Sequence, residues 1–140
     1  MAPRNIISSL QVVLGFFISW EEVLDIMDYK YIIINVTFDR EEDANIIGNT
    51  LLKEKLVCCV QMSRIDSKYF WEGDIKRHQE ILLVLKTRKE LYKLVEKTIL
   101  KLHNYKTPQI IAYPIVEGYN EYLSWIDLET NIKGENRYDN

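Results

Sequence analysis

This sequence predicts an α+β domain, an antiparallel sheet with helices packed against it, and three observations carry the prediction. "YKYIIINVT" (29–37) and "QIIAYPIVEG" (109–118) are β-branched, apolar runs of strand length. Two stretches, roughly 40–55 and 88–103, place apolar residues at the i, i+3, i+4, i+7 spacing of a helix face. Between them, "LVCCVQMSRI" (56–65) and "YFWEGDIKRHQEILLVLKT" (69–87) read as further strands, the second broken by a turn at Trp71-Glu72-Gly73-Asp74.

Taken in order, the first strand is so continuously apolar that it belongs at the centre of a sheet or under cover on both faces. Asp39 then stands where a helix N-cap belongs, with Glu42 as its capping-box partner. Ala44, Ile47, Gly48, Leu51 and Leu52 form the buried stripe of that helix. A second strand follows over 56–65, then the hairpin, whose returning strand alternates Ile81, Leu83 and Leu85. Thr87, with Glu90 three residues on, repeats the capping pattern, and Leu91, Leu94, Val95, Thr98, Ile99 and Leu102 carry a helix to His103. Lys86-Thr87-Arg88-Lys89 reads as the solvated start of that helix. Pro114 marks an edge or the end of the fourth strand, and "NEYLSWIDLE" (120–129) closes as a short helix. The order β-α-β-β-α-β is the ferredoxin-like arrangement, helices on one face of an antiparallel sheet.

With 140 residues and 47% hydrophobic content the chain suits one domain with one core. Three parts are expected: an N-terminal extension or helix (1–28), the ferredoxin-like domain (29–130) and a polar tail (131–140). The net charge is −3 with acidic and basic residues interspersed, so the basic footprint of a nucleic-acid binder is missing. Cys58 and Cys59 are adjacent; neighbours on a strand face opposite ways and cannot readily bridge or share one ion. A reducing, cytoplasmic setting is the expectation. "IISSLQVVLGFFISW" (6–20) is apolar but shorter than the ~20 residues of a membrane span, and no A-x-A-like cleavage site follows. Export through residues 1–26 stays an open alternative, and no stable membrane association is expected.

The hairpin over 56–87 outruns its neighbours. An overhanging hairpin leaves unpaired backbone groups that another subunit can cover, which points to a homo-oligomer. No G-x-S-x-G, P-loop or G-x-G-x-x-G is present, and the expectation is a protein that is not an enzyme.

Five fragments in order, "LLKEKLVCCVQ", "YFWEGDI", "EILLVLKT", "LHNYKTPQIIAYPI" and "EGYNEYLSWI", resemble the CutA (CutA1) divalent-cation tolerance family over roughly residues 30–130. The resemblance implies a homotrimer whose long hairpins pair between subunits, and a role in tolerance of divalent metals, copper above all. It implies direct copper binding as one reading, with copper or another divalent cation as the cofactor. The other is a trimeric small-ligand, signalling or protein-anchoring module that uses an inter-subunit cleft without holding metal.

Copper prefers thiolate and imidazole. Cys59 and His103 fall on the family's cysteine and histidine and are the candidate metal ligands; Cys58 and His78 are the other soft donors. Cys58 stands where the family has alanine, Asn35 where some members have cysteine, and Asn104 where the histidine is followed by proline. The competing readings are a small buried residue in a central strand for Cys59, a helix-end hydrogen bond for His103 and solvent exposure for His78. The candidate ligand cleft is Trp71, Glu72, Glu80, Lys86 and Tyr105, with Lys86 as its charge. Trp71, Tyr122 and Trp125 are the candidate interface anchors. Glu72 or Glu80 with Lys86 is alternatively a structural ion pair.

Overall fold

The computed structural model describes residues 28–130 together with Ser19. The expected extension or helix over 1–28 and the tail over 131–140 fall outside these residues, apart from Ser19 and Asp28. The elements are β1 (Tyr31–Phe38), α1 (Glu41–Lys53), β2 (Cys59–Trp71), β3 (Asp74–Arg88), a 3₁₀ turn (Lys89–Leu91), α2 (Tyr92–Leu102), β4 (Ile110–Pro114) and α3 (Asn120–Glu129). Their sheet order is β2-β3-β1-β4, antiparallel throughout, so the ferredoxin-like arrangement is the observed fold.

β1 lies at the centre, between β3 and β4, because its alternate residues supply one whole row of the core. Ile32, Ile34, Val36 and Phe38 point to one face, where Ile81, Leu83 and Leu85 from β3 meet Ala44, Ile47 and Leu51 from α1 and Val95 and Ile99 from α2. The close approach of α1 to β2 needs Gly48, where a Cβ would sit 3.1 Å from Val60 Cγ1. On the opposite face, Tyr31, Ile33 and Asn35 align with Arg88, Lys86 and Val84 of β3. α3 is tied to one end of this face. Asp127 accepts from Tyr31 Oη at 2.6 Å and from Lys30 Nζ at 2.9 Å, while the buried Arg88 guanidinium donates to Thr130 Oγ1 at 2.9 Å and Thr130 O at 2.7 Å.

The hairpin is longer than its partner. β1 pairs with β3 only from Ile81 to Arg88, so among the described residues Ile65–Trp71 and Asp74–Glu80 have only each other as strand-ladder partners. This arm projects about 24 Å beyond the end of β1, at ~3.4 Å per residue. Its turn is Glu72-Gly73, both left-handed at φ 50° and 82°, the pattern of a type I′ hairpin. Near the tip Phe70 faces Ile75 across the ladder, exposed at 76% and 68%.

Several sequence expectations are corrected. Asp39 does not cap α1: the N-cap position is Arg40, extended and without a side-chain cap, and Asp39 instead accepts from Asn104 Nδ2 at 3.2 Å. Thr87 does not cap α2, and of Lys86–Lys89 only the exposed Lys89 opens a helical turn, the first three residues belonging to β3. Thr87 is a fully buried β3 residue whose hydroxyl donates to Leu56 O at 2.6 Å, and Arg88 beside it is also buried. Leu52, Leu94 and Leu102, expected inside, lie on exposed helix surfaces. The second strand starts and ends later than 56–65, and the fourth ends at Pro114. Cys59 lies on β2, which is the edge strand of the sheet within this chain, not a central one.

Candidate functional site

Lys86 is the charged centre of the face opposite the core. It pairs across the ladder with Cys59, and two residues along the same face comes Gln61. Side chains two apart on one strand share a face, so the lysine stem lies between them. Its ammonium donates to Gln61 Oε1 and sits 3.8 Å from Cys59 Sγ. Tyr122 of α3 borders the same spot: burial first, then the neighbouring Cys59 and Cys58, raise its phenol above the ordinary range. Trp125 packs beside it, ring centroids 5.5 Å apart. The arrangement offers an ammonium, an amide and a phenol beside an aromatic wall, which suits an anionic group on a small molecule.

A second constellation lies at the other end of β1. His103 closes α2 and stacks on Phe38, centroids 4.5 Å apart and 15° from parallel. One ring nitrogen, Nε2, lies 2.8 Å from Thr37 O; the other, Nδ1, lies 3.0 Å from the Tyr105 backbone N. A carbonyl only accepts and a backbone N–H only donates, so Nε2 carries the proton and Nδ1 the lone pair. Tyr105 then turns its hydroxyl to the buried Glu80, donating to Oε2 at 3.1 Å. Burial, then that bond, hold the phenol well above the usual tyrosine range.

The structure brings some of the sequence-predicted residues together and separates others. Glu80 meets Tyr105. Lys86 shares β3 with Glu80 but stands six residues from it, about 20 Å along the strand. Trp71 and Glu72 sit at the arm tip, again about 20 Å from Glu80 in the other direction. Within one chain the five cleft residues therefore occupy three places. Within one chain these separations are too long for a Glu72–Lys86 or a Glu80–Lys86 ion pair.

The soft donors are also apart. Cys59 is level with Ile33 of β1 through Lys86, while His103 holds Thr37, four residues further along, or about 13 Å plus two strand spacings sideways. Both nitrogens of His103 are engaged. Cys58 is buried, donates to Lys86 O at 3.3 Å, and has its thiol pushed up to about 12 by burial and the neighbouring Cys59. His78 is exposed on the arm and bonds Tyr69 Oη through Nδ1 at 2.7 Å. Among the described residues, no three His, Cys, Asp or Glu side chains converge to hold a metal ion. A single chain's donors thus do not fit a preformed copper site, and Lys86 adds a positive charge beside the one thiol left available.

Sequence reasoning missed Gln61 as the partner of Lys86, and the Asp127–Tyr31 and Arg88–Thr130 ties that seat α3. The one available signal was the shared parity of Cys59 and Gln61 on a strand. The α3 ties span up to 97 residues and leave no local trace.

Fold and site together define a class: a ferredoxin-like subunit with an overhanging arm and a polar cluster on the sheet's second face. The family model of the CutA1 divalent ion tolerance protein matches residues 32–129, and the chain belongs to that family. A divalent-cation tolerance protein CutA from Archaeoglobus fulgidus is 39% identical over 94 residues, 67% of this chain and 92% of that protein. A chloroplastic protein CutA from Arabidopsis thaliana is 35% identical over 100 residues, 71% of this chain and 55% of that protein. Among solved structures, the periplasmic divalent cation tolerance protein CutA from Archaeoglobus fulgidus superimposes with a TM-score of 0.71 at 37% identity, covering 72% of this chain and 99% of that one. Among the described residues, no helix is long and apolar enough to cross a membrane.

Proposed function

We propose that this chain serves divalent-metal tolerance as a homotrimeric binding protein, not an enzyme, whose working site is the Lys86 cluster and whose ligand is an anionic small molecule. The observation that carries this reading is the Lys86 ammonium, set among Gln61, Cys59 and Tyr122 on a face that the chain's own α1 and α2 leave uncovered. An ammonium there attracts anions and repels cations by the same Coulomb law. The trimer reading draws support from the arm, from the exposed Phe70–Ile75 pair at its tip, and from the long free edge of β2. Trp71, Tyr122 and Trp125 are the anchors proposed for contacts between copies.

Direct copper binding through Cys59 and His103 is the competing reading. It requires His103 to give up a hydrogen bond, and a cation to settle beside Lys86. Light scattering with and without one equivalent of Cu²⁺, with bound metal measured after gel filtration, separates the two. The expected result is a trimer that does not retain copper, and whose Lys86 and Tyr122 NMR signals move with a dicarboxylate such as succinate. Copper retained by the wild type and lost in both Cys59→Ser and His103→Ala would establish the competing reading.

A further inference from the structure

We infer that His103, Tyr105 and Glu80 form a brace that sets the direction of the hairpin arm at its root, and so governs how firmly copies of this chain assemble. The inference rests on the homotrimer reading above. Its starting point is where Glu80 lies. Phe38 and Ile81 are the last pair that β1 makes with β3, so Glu80, opposite Ile65, is the first β3 residue of the unsupported arm. A two-stranded ribbon leaving a sheet twists and swings freely unless something holds it near its base.

Here the base is held from the side. Glu80 is only 8% exposed, and its Oε2 accepts the Tyr105 hydroxyl at 3.1 Å. Tyr105 is fixed by its backbone N–H on His103 Nδ1, and by ring contact with the imidazole at 4.8 Å. His103 in turn is anchored to Thr37 O and to the face of Phe38, both at the end of β1. Asn104, between the two aromatics, donates to Asp39 just beyond that strand. Every link therefore runs from the rigid end of the central strand, across the α2–β4 loop, to the first residue of the arm. His103 acts as a positioning residue: it never touches the arm but decides where Tyr105 stands.

The test uses the full chain. Sedimentation equilibrium gives the trimer–monomer constant, and hydrogen exchange reads the amides of 65–71 and 74–80 separately from those of β1. Tyr105→Phe keeps the ring and removes the hydroxyl, and Glu80→Leu removes the acceptor. Losing a hydrogen bond to a carboxylate is expected to weaken assembly about tenfold per chain, with faster exchange confined to the arm. Glu80→Gln, which still accepts from Tyr105, is expected to stay close to wild type. A wild-type monomer would overturn the trimer reading itself. A wild-type trimer with Tyr105→Phe equally tight and its arm amides unchanged would overturn the brace alone, as would exchange that rises evenly in β1 and the arm.

Discussion

Replacing Lys86 by Met should make this protein a better cation binder. The ammonium lies 3.8 Å from Cys59 Sγ, and a dication held by that sulfur meets one like charge at about this distance. Two positive charges against one at that separation cost about 2 kcal/mol in a water-like dielectric, or about thirtyfold in affinity. Met keeps the length and apolar body of the lysine stem, so the packing beside Cys59 is nearly unchanged. Cd²⁺ is the suitable probe, because it is soft and cannot oxidise the thiol as copper can. Its thiolate charge-transfer absorbance reports binding at sulfur, and calorimetry gives the constant. At low salt Lys86→Met should bind cadmium about thirtyfold more tightly than wild type, and the gap should narrow in 1 M salt, where screening acts over ~3 Å. Cys59→Ser should abolish the absorbance in both backgrounds. Equal or weaker cadmium binding by Lys86→Met at low salt would refute the placement of the ammonium against the thiol. Wild-type binding that His103→Ala removes would refute the separation of the two donors.

Three other substitutions and conditions follow from particular contacts. Thr87→Asp should destabilise the fold by about 3 kcal/mol or more in urea denaturation, because it buries an unpaired carboxylate; a helix cap at that position would accept aspartate without loss. Gly73→Ala should cost about 1 kcal/mol in the same assay. The site has room for a Cβ, so the loss comes from the left-handed φ of 82° alone. Asp127 should contribute to acid unfolding. Burial works to raise its carboxyl, but the bonds from Tyr31 and Lys30 outweigh it and hold the group below its ordinary value of 3.8. Its contribution is then present above that pH and lost as the pH falls through the lowered value, so Asp127→Asn should show a shallower stability loss as the pH falls below 3.8.

The elements were legible in the sequence where a period repeats. Alternation in β1 and β3, and the three-four spacing of Ala44, Ile47 and Leu51, come from burial on one side, which residue order records directly. The arm was legible from length alone, since Cys59–Trp71 and Asp74–Arg88 cannot both be matched by an eight-residue β1. The capping assignments failed for one shared reason. Asp39 with Glu42, and Thr87 with Glu90, carry the residue types of a capping box, yet a cap also needs the chain to turn into a helix at that residue. β3 runs through Thr87 because its pairing with β1 continues to Arg88, and that pairing outweighs a local preference worth about 1 kcal/mol. The expected inter-subunit cleft was gathered by motif, and within one chain strand geometry spaces Glu80 and Lys86 far apart even though they share a face.

By itself, then, the sequence determined the order of the elements, the core rows of β1, β3 and α1, the projecting hairpin and the family to which the chain belongs. All of these rest on patterns within a few residues or on fragments met in order. Only the tertiary structure decided that Lys86 is matched with Cys59 and Gln61, that α3 is seated by Asp127 and Arg88, and that both nitrogens of His103 are already spent. Those outcomes depend on strand register and on contacts between residues far apart in the chain. A shift of one residue in register would send a strand side chain such as Lys86 to the other face, and no local pattern encodes the long-range contacts of Asp127 or His103.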